Sequence, residues 1–217
     1  PYTYVNKDGL PDGFSIDLAK AVTRVMGMKL KVVVDTWERA KNTLKNGEID
    51  LLPMMAYSEK RDKIFDFSVP HTIAYDAIFT RTDSPEIRSI KHIEGKKIIV
   101  MKNDQAHDYL LPTINFAPEN IILIQGLPEA LRLLASGKGD AALMPKLVGL
   151  IVSKNLNLTN LRKSPVIIED YTRPFSFAVR DGNQLLSERL NQGLSIVKNS
   201  GQYDQIYKKW FGTIDPK

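Results

Sequence analysis

Three features that follow one another in the sequence predict a binding site for a carboxylate. The apolar run from Ile49 to Ala56 has the length and the boundaries of a buried strand. Ser58 then supplies a hydroxyl that can accept hydrogen bonds from the free amides of a helix N-terminus, and Arg61 lies in the first turn of that helix. Unpaired amides and a guanidinium together favour an anion. The alternative interpretation is that Arg61 is a surface arginine beside Glu59 and Asp62.

Helical and strand patterns alternate along the chain, which is typical of α/β proteins with parallel sheets. The predicted helices cover residues 14–26, 35–44, 104–111, 128–135, 147–153 and 184–199, and a further one begins at Ser58. The predicted strands cover residues 29–34, 49–56, 74–81, 96–101, 121–124, 140–144 and 175–179. An apolar stripe at helical spacing in residues 203–211 predicts a tail helix that packs on a core.

A repeat predicts that the chain forms two similar lobes. In each copy a helix stops at a glycine and an acidic residue leads into an apolar strand. Ala40, Leu44, Gly47 and Asp50 recur, at a constant offset, as Ala130, Leu134, Gly137 and Asp140. Ligands of open α/β sheets lie beyond the carboxyl ends of the strands. We therefore expect the turn after Ala56 to form one wall of a cleft, the turns after Met101 and Met144 to form the other, and the lobes to close about a hinge.

Composition and motif searches exclude several other classes of function. The formal net charge of +5 does not indicate nucleic-acid binding, because basic and acidic residues are interleaved and no basic stripe carries stacking aromatics. No apolar run approaches the roughly 18 residues that cross a bilayer. The absence of cysteine excludes disulfides and thiolate metal sites. His71, His92 and His107 lie in separate elements without zinc-binding spacing, so we expect neither a metal nor a cofactor.

Several segments, in an order that covers nearly the whole chain, carry a family resemblance. They are residues 13–19 (GFSIDLA), Trp37, 47–50 (GEID), 58–61 (SEKR), 65–70 (FDFSVP) and 209–212 (KWFG). The chain resembles family 3 solute-binding proteins, which are the amino-acid-binding type II periplasmic binding proteins. The resemblance implies a two-lobed α/β (Venus-flytrap) fold, in which each lobe is a mainly parallel sheet flanked by helices and two hinge strands connect the lobes.

The same resemblance implies the boundaries of the lobes. Lobe 1 would comprise residues 1–73 and 178–217, and lobe 2 would comprise residues 74–177. The family's first strand would precede Pro1, where the sequence starts without a methionine, so we expect a chain that has been processed or excised from a longer one.

The resemblance also assigns candidate ligand-binding residues. Arg61 falls on the arginine that holds the ligand carboxylate, and Trp37 falls on an aromatic wall of the site. Met54 and Ala56 fall where backbone groups contact the ligand. The second lobe would contribute Lys102, Asn103, Asp104, Gln105, Pro145 and Lys146.

Departures from the family pattern leave the ligand open. Met54 and Ala56 replace a usual glycine and hydroxyl, and the second-lobe loop reads NDQA at residues 103–106 instead of being rich in Ser, Thr and Gly. The acid that normally holds an α-amino group falls on Pro145. A buried ammonium without a carboxylate partner costs several kcal/mol. Asp104 could therefore supply that charge, the ligand could be a carboxylate without an ammonium, or the cleft could hold nothing.

Residues 56–61, 65–68 and 78–81 are more similar to family members that are fused to bacterial membrane sensors, chiefly histidine kinases and diguanylate cyclases. This implies the extracytoplasmic sensor domain of a two-component histidine kinase, on the periplasmic or extracellular face of a bacterial inner membrane. It would bind a small carboxylate or amino-acid-like solute and signal to membrane-anchored modules after Lys217. The alternative is a free periplasmic protein that serves the permease of an ABC amino-acid importer. Some relatives of the fold are dehydratases, in which case Asp104 could act as a general base, but we expect no catalysis.

Overall fold

The computed structural model describes residues 2–168 and 171–212 as an α/β protein, which confirms the predicted class. The strands are β1 (Tyr4–Val5), β2 (Pro11–Asp12), β3 (Leu51–Ala56), β4 (Phe65–Phe67), β5 (Thr72–Ala74), β6 (Asp76–Arg81), β7 (Ile98–Met101), β8 (Ile121–Ile124), β9 (Ala141–Pro145), β10 (Leu161–Lys163) and β11 (Arg173–Arg180). The α-helices are α1 (Phe14–Val25), α2 (Trp37–Asn46), α3 (Glu59–Asp62), α4 (Leu111–Thr113), α5 (Leu127–Ala135), α6 (Lys146–Asn155), α7 (Gln184–Asn199) and α8 (Gln202–Phe211). Among these helices none is both long enough and apolar enough to cross a bilayer.

The chain divides into two compact units. Unit 1 comprises Pro1–Ile73 and Pro174–Lys217, and unit 2 comprises Ala74–Arg173. The chain therefore passes between the units twice, after Ile73 and after Arg173. The second passage lies before the predicted boundary at residue 177, because β11 already pairs with β3 of unit 1 from Phe175 onwards. Of the predicted lobe ranges, Pro1 and residues 169–170 and 213–217 lie outside the described residues.

Unit 1 is built on a sheet in which β11 lies between β3 and β4. β11 is antiparallel to both neighbours, so β3 and β4 run in the same direction. Helix α1 packs on β3 and against α7 and α8. Its first residue, Phe14, is fully buried, and its ring centre lies 5.1 Å from that of Phe211 in α8. The tail helix therefore packs on the core, as its apolar stripe predicts.

Unit 2 contains a mixed sheet in the order β10-β6-β9-β7-β8. β7 is parallel to β8 and β9, whereas β6 is antiparallel to β9 and β10. The carboxyl ends of β7 and β9 consequently lie at one edge of the sheet, and Asp76 at the start of β6 lies opposite Pro145 at that edge. Neither sheet is mainly parallel as expected, because β11 runs against both β3 and β4 in unit 1 and β6 runs against both β9 and β10 in unit 2.

The predicted repeat corresponds to the same local structure in both units. α2 ends at Gly47 and α5 is followed by Gly137, with φ of 77° and 78°. Glycine adopts this left-handed conformation without the steric penalty of a Cβ atom. A strand follows each glycine, and its antiparallel neighbour ends in an arginine that lies beside that glycine, Arg180 in unit 1 and Arg81 in unit 2.

The predicted strand at residues 29–34 is wrong. These residues pair with no strand in the described part of the chain, and Val33 and Val34 are 69% and 37% exposed. β-branched side chains favour a strand only where a neighbouring strand and a packing surface are present. The segment instead leads from α1 to α2 without regular structure.

Candidate functional site

Arg61 is buried at the carboxyl end of β3. The hydroxyl of Ser58 accepts a hydrogen bond of 3.3 Å from the backbone N–H of Arg61, so Ser58 is the N-cap of α3 as predicted. The Nη1 atom of Arg61 donates to the carbonyl oxygen of Ala56 at 2.8 Å, and the residue is 7% exposed. The alternative of a surface arginine is therefore wrong. Because α3 starts so soon after β3, the guanidinium lies back over the end of the strand.

Trp37 lies beside the same guanidinium. The Cζ atom of Arg61 is 5.5 Å from the centre of the Trp37 ring, which is within the range of a cation–π interaction. Trp37 is half-buried and also packs against a core cluster that includes Leu44 and Phe65. The tryptophan thus belongs to the core of unit 1 and at the same time restricts the orientation of Arg61.

This arrangement can bind a carboxylate. A guanidinium presents five N–H donors in a planar fork that matches a carboxylate, and such charge-assisted hydrogen bonds are stronger when the groups are shielded from water. Met54 is half-buried and Ala56 is buried, and both belong to β3. Unit 1 therefore brings Arg61, Trp37 and Ala56 together, with the Ala56 carbonyl fixing the arginine.

The candidate residues of unit 2 lie at the edge where β7 and β9 end. Lys102, Asn103, Asp104 and Gln105 directly follow β7, and we call them the β7 loop. Pro145 ends β9, and Lys146 begins α6. Because β7 and β9 are parallel neighbours, the sheet brings these two groups of residues to one edge. Asn103 has a φ of 58°, and a π-helical turn, Ala106–Leu110, follows the loop.

A buried charge network, which sequence reasoning did not predict, holds this loop. The guanidinium of Arg173 makes two hydrogen bonds to Asp76, at 2.5 and 2.7 Å, and two to Asp104, both at 2.6 Å. Arg173 is 1% exposed, Asp76 is 6% exposed and Asp104 is 7% exposed. We call these three residues the Arg173 network. Both carboxylate oxygens of Asp104 accept from Arg173, so the position of Asp104 is fixed by an arginine of its own unit.

The network carries two carboxylates for one guanidinium, and this imbalance affects its titration. Burial raises the pKa of Asp76, although Arg173 acts in the opposite direction. Burial lowers the pKa of Arg173, but Asp104 and Asp76 more than reverse this effect and hold it well above its usual value. Burial also raises the pKa of Tyr171, which lies beside the network. The arginine therefore stays charged, while burial favours the neutral form of Asp76.

Gln105 is the second residue of the β7 loop that is fixed to the segment before Pro174. Its Nε2 atom donates to the carbonyl oxygen of Thr172 at 3.3 Å. Its Oε1 atom is buried without a hydrogen-bond partner among the described residues. A buried acceptor of this kind is unusual in a native protein.

Two further features of the described residues lie apart from the candidate site. A polar cavity of about 270 Å³ in unit 2 is lined by Thr80, Lys96 and Asp140 among others, at the amino ends of β7 and β9. It therefore lies at the other edge of the sheet from the β7 loop.

Within residues 2–168 and 171–212, no group of three or more His, Cys, Asp or Glu side chains could hold a metal ion.

His71, one of the three histidines without zinc-binding spacing, has a structural role in unit 1. Its Nε2 atom lies 3.0 Å from the carbonyl oxygen of Pro53, and its Nδ1 atom lies 3.0 Å from the hydroxyl of Thr72. Since a carbonyl can only accept, Nε2 carries the proton. Burial lowers the pKa of His71 to about 4.

Comparison with known proteins agrees with the two-unit α/β architecture of a solute-binding protein. A family profile described as bacterial extracellular solute-binding proteins, family 3, matches residues 1–213. The chain is 31% identical over 208 residues to the ABC transporter glutamine-binding protein GlnH of Bacillus subtilis (strain 168), covering 92% of this chain and 72% of that protein.

Two solved structures show the same fold. A histidine kinase sensor domain with similarity to periplasmic binding proteins is 34% identical with a TM-score of 0.93, covering 98% of this chain and 91% of that one. An ancestral arginine-binding protein bound to glutamine is 29% identical with a TM-score of 0.87, covering 98% and 93%. The chain is thus a solute-binding protein with the type II periplasmic-binding-protein fold. It belongs to family 3 of the bacterial extracellular solute-binding proteins.

Proposed function

We propose that this chain is the extracytoplasmic ligand-binding domain of a membrane-bound sensor histidine kinase and that it binds a small carboxylate or amino-acid-like solute. The observation that carries the binding role is the buried guanidinium of Arg61, which the Ala56 carbonyl and the Trp37 ring hold at the end of β3. A guanidinium held in this way has its N–H donors preorganised for the two oxygens of a carboxylate. The domain itself binds its ligand without transforming it.

The binding role is tested by thermal denaturation of the chain in the presence of single compounds. The panel contains L-glutamine, L-arginine and L-cystine, together with acetate, succinate and glutarate as acids without an ammonium. A ligand at 100-fold its dissociation constant adds about 2.7 kcal/mol to the stability of the folded state, which raises the melting temperature by several degrees. If no compound of either group shifts the transition, the carboxylate-binding proposal fails.

The sensor role is supported by the solved sensor domain, which matches 98% of this chain at 34% identity. A ligand can signal only through its difference in affinity for the conformations of the domain. We therefore expect a compound that binds the isolated chain to change the autophosphorylation rate of the full-length protein in membrane vesicles. A compound that binds tightly and leaves that rate unchanged would contradict the sensor role.

A free binding protein of an ABC importer is the second candidate, and the 31% identity to a transporter glutamine-binding protein favours it. The complete gene distinguishes the two proposals. A transmembrane helix and kinase modules in the same open reading frame support the sensor, whereas a stop codon shortly after Trp210 supports the importer. Stimulation of a cognate permease's ATPase by the loaded chain would establish the second candidate directly.

A further inference from the structure

Arg173 connects three parts of unit 2 that are distant in the sequence. Asp104 lies 69 residues before it and Asp76 lies 97 residues before it, and each carboxylate makes two hydrogen bonds to the same guanidinium. Arg173 is also the last residue before the chain passes into unit 1, and Asp76 lies shortly after the first passage. The β7 loop is thereby fastened to both ends of the segment that forms unit 2.

Stability alone is a poor explanation for this network. Replacing a buried ion pair or triad by well-packed apolar residues is often neutral or stabilising, so such groups are weak devices for holding a fold together. Two carboxylates around one guanidinium are a still less favourable composition than a matched pair. Stability therefore does not explain why three charged residues are buried here, and we expect the network to have a function that apolar side chains could not perform.

The backbone of the β7 loop shows what that role is. Asn103 has a φ of 58°, in the left-handed region that asparagine enters more readily than most other non-glycine residues, and the chain continues into a π-helical turn at Ala106–Leu110, a rare conformation. Such conformations persist only when their surroundings impose them. Within the loop, the backbone N–H of Asn103 donates to Nδ1 of His107 at 3.3 Å. The bonds that hold the loop to the rest of unit 2 include those from Arg173 to the Asp104 carboxylate and from the Gln105 side chain to the Thr172 carbonyl.

We propose that Arg173 is a positioning residue, which acts through Asp104 to hold the β7 loop in the conformation that contacts the ligand. The proposal rests on the proposed function only in taking the β7 loop as part of the ligand site. Asp104 then serves recognition by orienting the amides and side chains of its neighbours, and its carboxylate contacts Arg173 rather than the ligand.

The test compares two variants that make the same change of charge. Asp104→Asn and Asp76→Asn each remove one of the two carboxylates that bond to Arg173. In both variants Arg173 keeps one carboxylate partner, so the change of charge is the same. Asp104→Asn weakens the hydrogen bonding between Arg173 and the β7 loop, whereas Asp76→Asn leaves both bonds from Arg173 to Asp104 in place. Amide hydrogen exchange of residues 102–106, measured without ligand, should become at least about tenfold faster in Asp104→Asn and stay within about twofold in Asp76→Asn. Equal acceleration in both variants, or none in either, overturns the proposal.

A binding measurement separates this proposal from the proposed function. Arg173→Lys keeps the positive charge, but one ammonium cannot make the four hydrogen bonds of the guanidinium. Isothermal titration with L-glutamine should show at least about tenfold weaker binding to Arg173→Lys and affinity within about twofold for Asp76→Asn. Unchanged affinity in Arg173→Lys overturns the positioning role. Absence of L-glutamine binding by the wild-type chain counts against the proposed function for that ligand, while the exchange comparison still decides the role of Arg173.

Discussion

The guanidinium of Arg61 lies 5.5 Å from the centre of the Trp37 ring and is held at the same time by the carbonyl oxygen of Ala56. The two residues come from different elements of unit 1, since Trp37 begins α2 and Arg61 lies in α3. A cation between an aromatic ring and a carbonyl has few alternative orientations. The unit thus presents a preorganised donor for an anion, which lowers the ordering cost of binding.

Replacement of Trp37 should weaken binding without abolishing it. Trp37→Leu removes the ring that faces the guanidinium, and we expect a loss of about 0.5–2 kcal/mol in the binding free energy of a carboxylate, the range of a cation–π interaction. Trp37→Phe retains a smaller ring and should lose less. Isothermal titration measures both values, and urea unfolding of each variant checks that the core around Leu44 remains folded. If Trp37→Phe binds the carboxylate more weakly than Trp37→Leu does, the ring does not support binding through its contact with Arg61.

Removal of the guanidinium from the Arg173 network should strongly destabilise the chain. Arg173→Met leaves two buried carboxylates without their shared partner, at a cost of about 3–5 kcal/mol. The combination Asp76→Asn, Asp104→Asn and Arg173→Met removes the uncompensated charges and should recover at least half of that loss. Urea denaturation gives the comparison, provided that the slope of each transition stays constant. If the triple variant is no more stable than Arg173→Met, buried charge is not the source of the loss.

His71 should make the stability depend on pH. The pKa of this residue is lowered by burial to about 4 in the folded chain, from 6.5 in the unfolded chain. Above pH 6.5 both states are neutral, and the stability contributed by the neutral ring is fully present. As the pH falls below 6.5, His71 becomes protonated in the unfolded chain but stays neutral in the folded chain. The free energy of unfolding therefore declines until about pH 4, where the folded chain is protonated as well.

The size of this effect follows from the linkage between proton binding and folding. Between pH 6.5 and pH 5 the decline should reach about 1.6 kcal/mol, because the slope rises to its limit of about 1.4 kcal/mol for each pH unit only as the ring becomes fully protonated in the unfolded chain. His71→Gln, which can still donate to the Pro53 carbonyl, should lose this part of the pH dependence. Equilibrium unfolding of both proteins at several pH values measures the difference. Identical slopes for the wild type and the variant would show that His71 does not control the decline.

Elements with strong local signals were predictable from the sequence. Helix α7 covers the predicted residues 184–199, with Asn183 accepting from the backbone N–H of Leu186 as its N-cap. The placement of Arg61 at a strand end followed from the short distance between an apolar run and a capping serine. In these cases a few neighbouring residues favour one local structure, and packing against the rest of the chain favours the same structure.

Other features depend on residues that are far apart in the sequence. The apolar run at residues 29–34 has high β-propensity but no pairing partner among the described strands, so propensity alone misleads. The Arg173 network joins positions separated by 69 and 97 residues, which no local pattern reveals. One signal was present, because Asp76 and Arg173 stand next to apolar runs that form buried strands. A charged residue there is rarely buried unless it is paired.

The central claim is that Arg61 holds the carboxylate of the ligand, and titration of Arg61→Ala tests it most directly. The matched control is Arg39→Ala on α2, because the side chain of Arg39 is 74% exposed. For the compound that gives the largest thermal shift with the wild type, isothermal titration should show a loss of about 1.5–3 kcal/mol in binding free energy for Arg61→Ala, the value of hydrogen bonds to a charged group. The control should match the wild type. Equal affinities for Arg61→Ala and the wild type, in a folded variant, would remove Arg61 from the site and contradict the account.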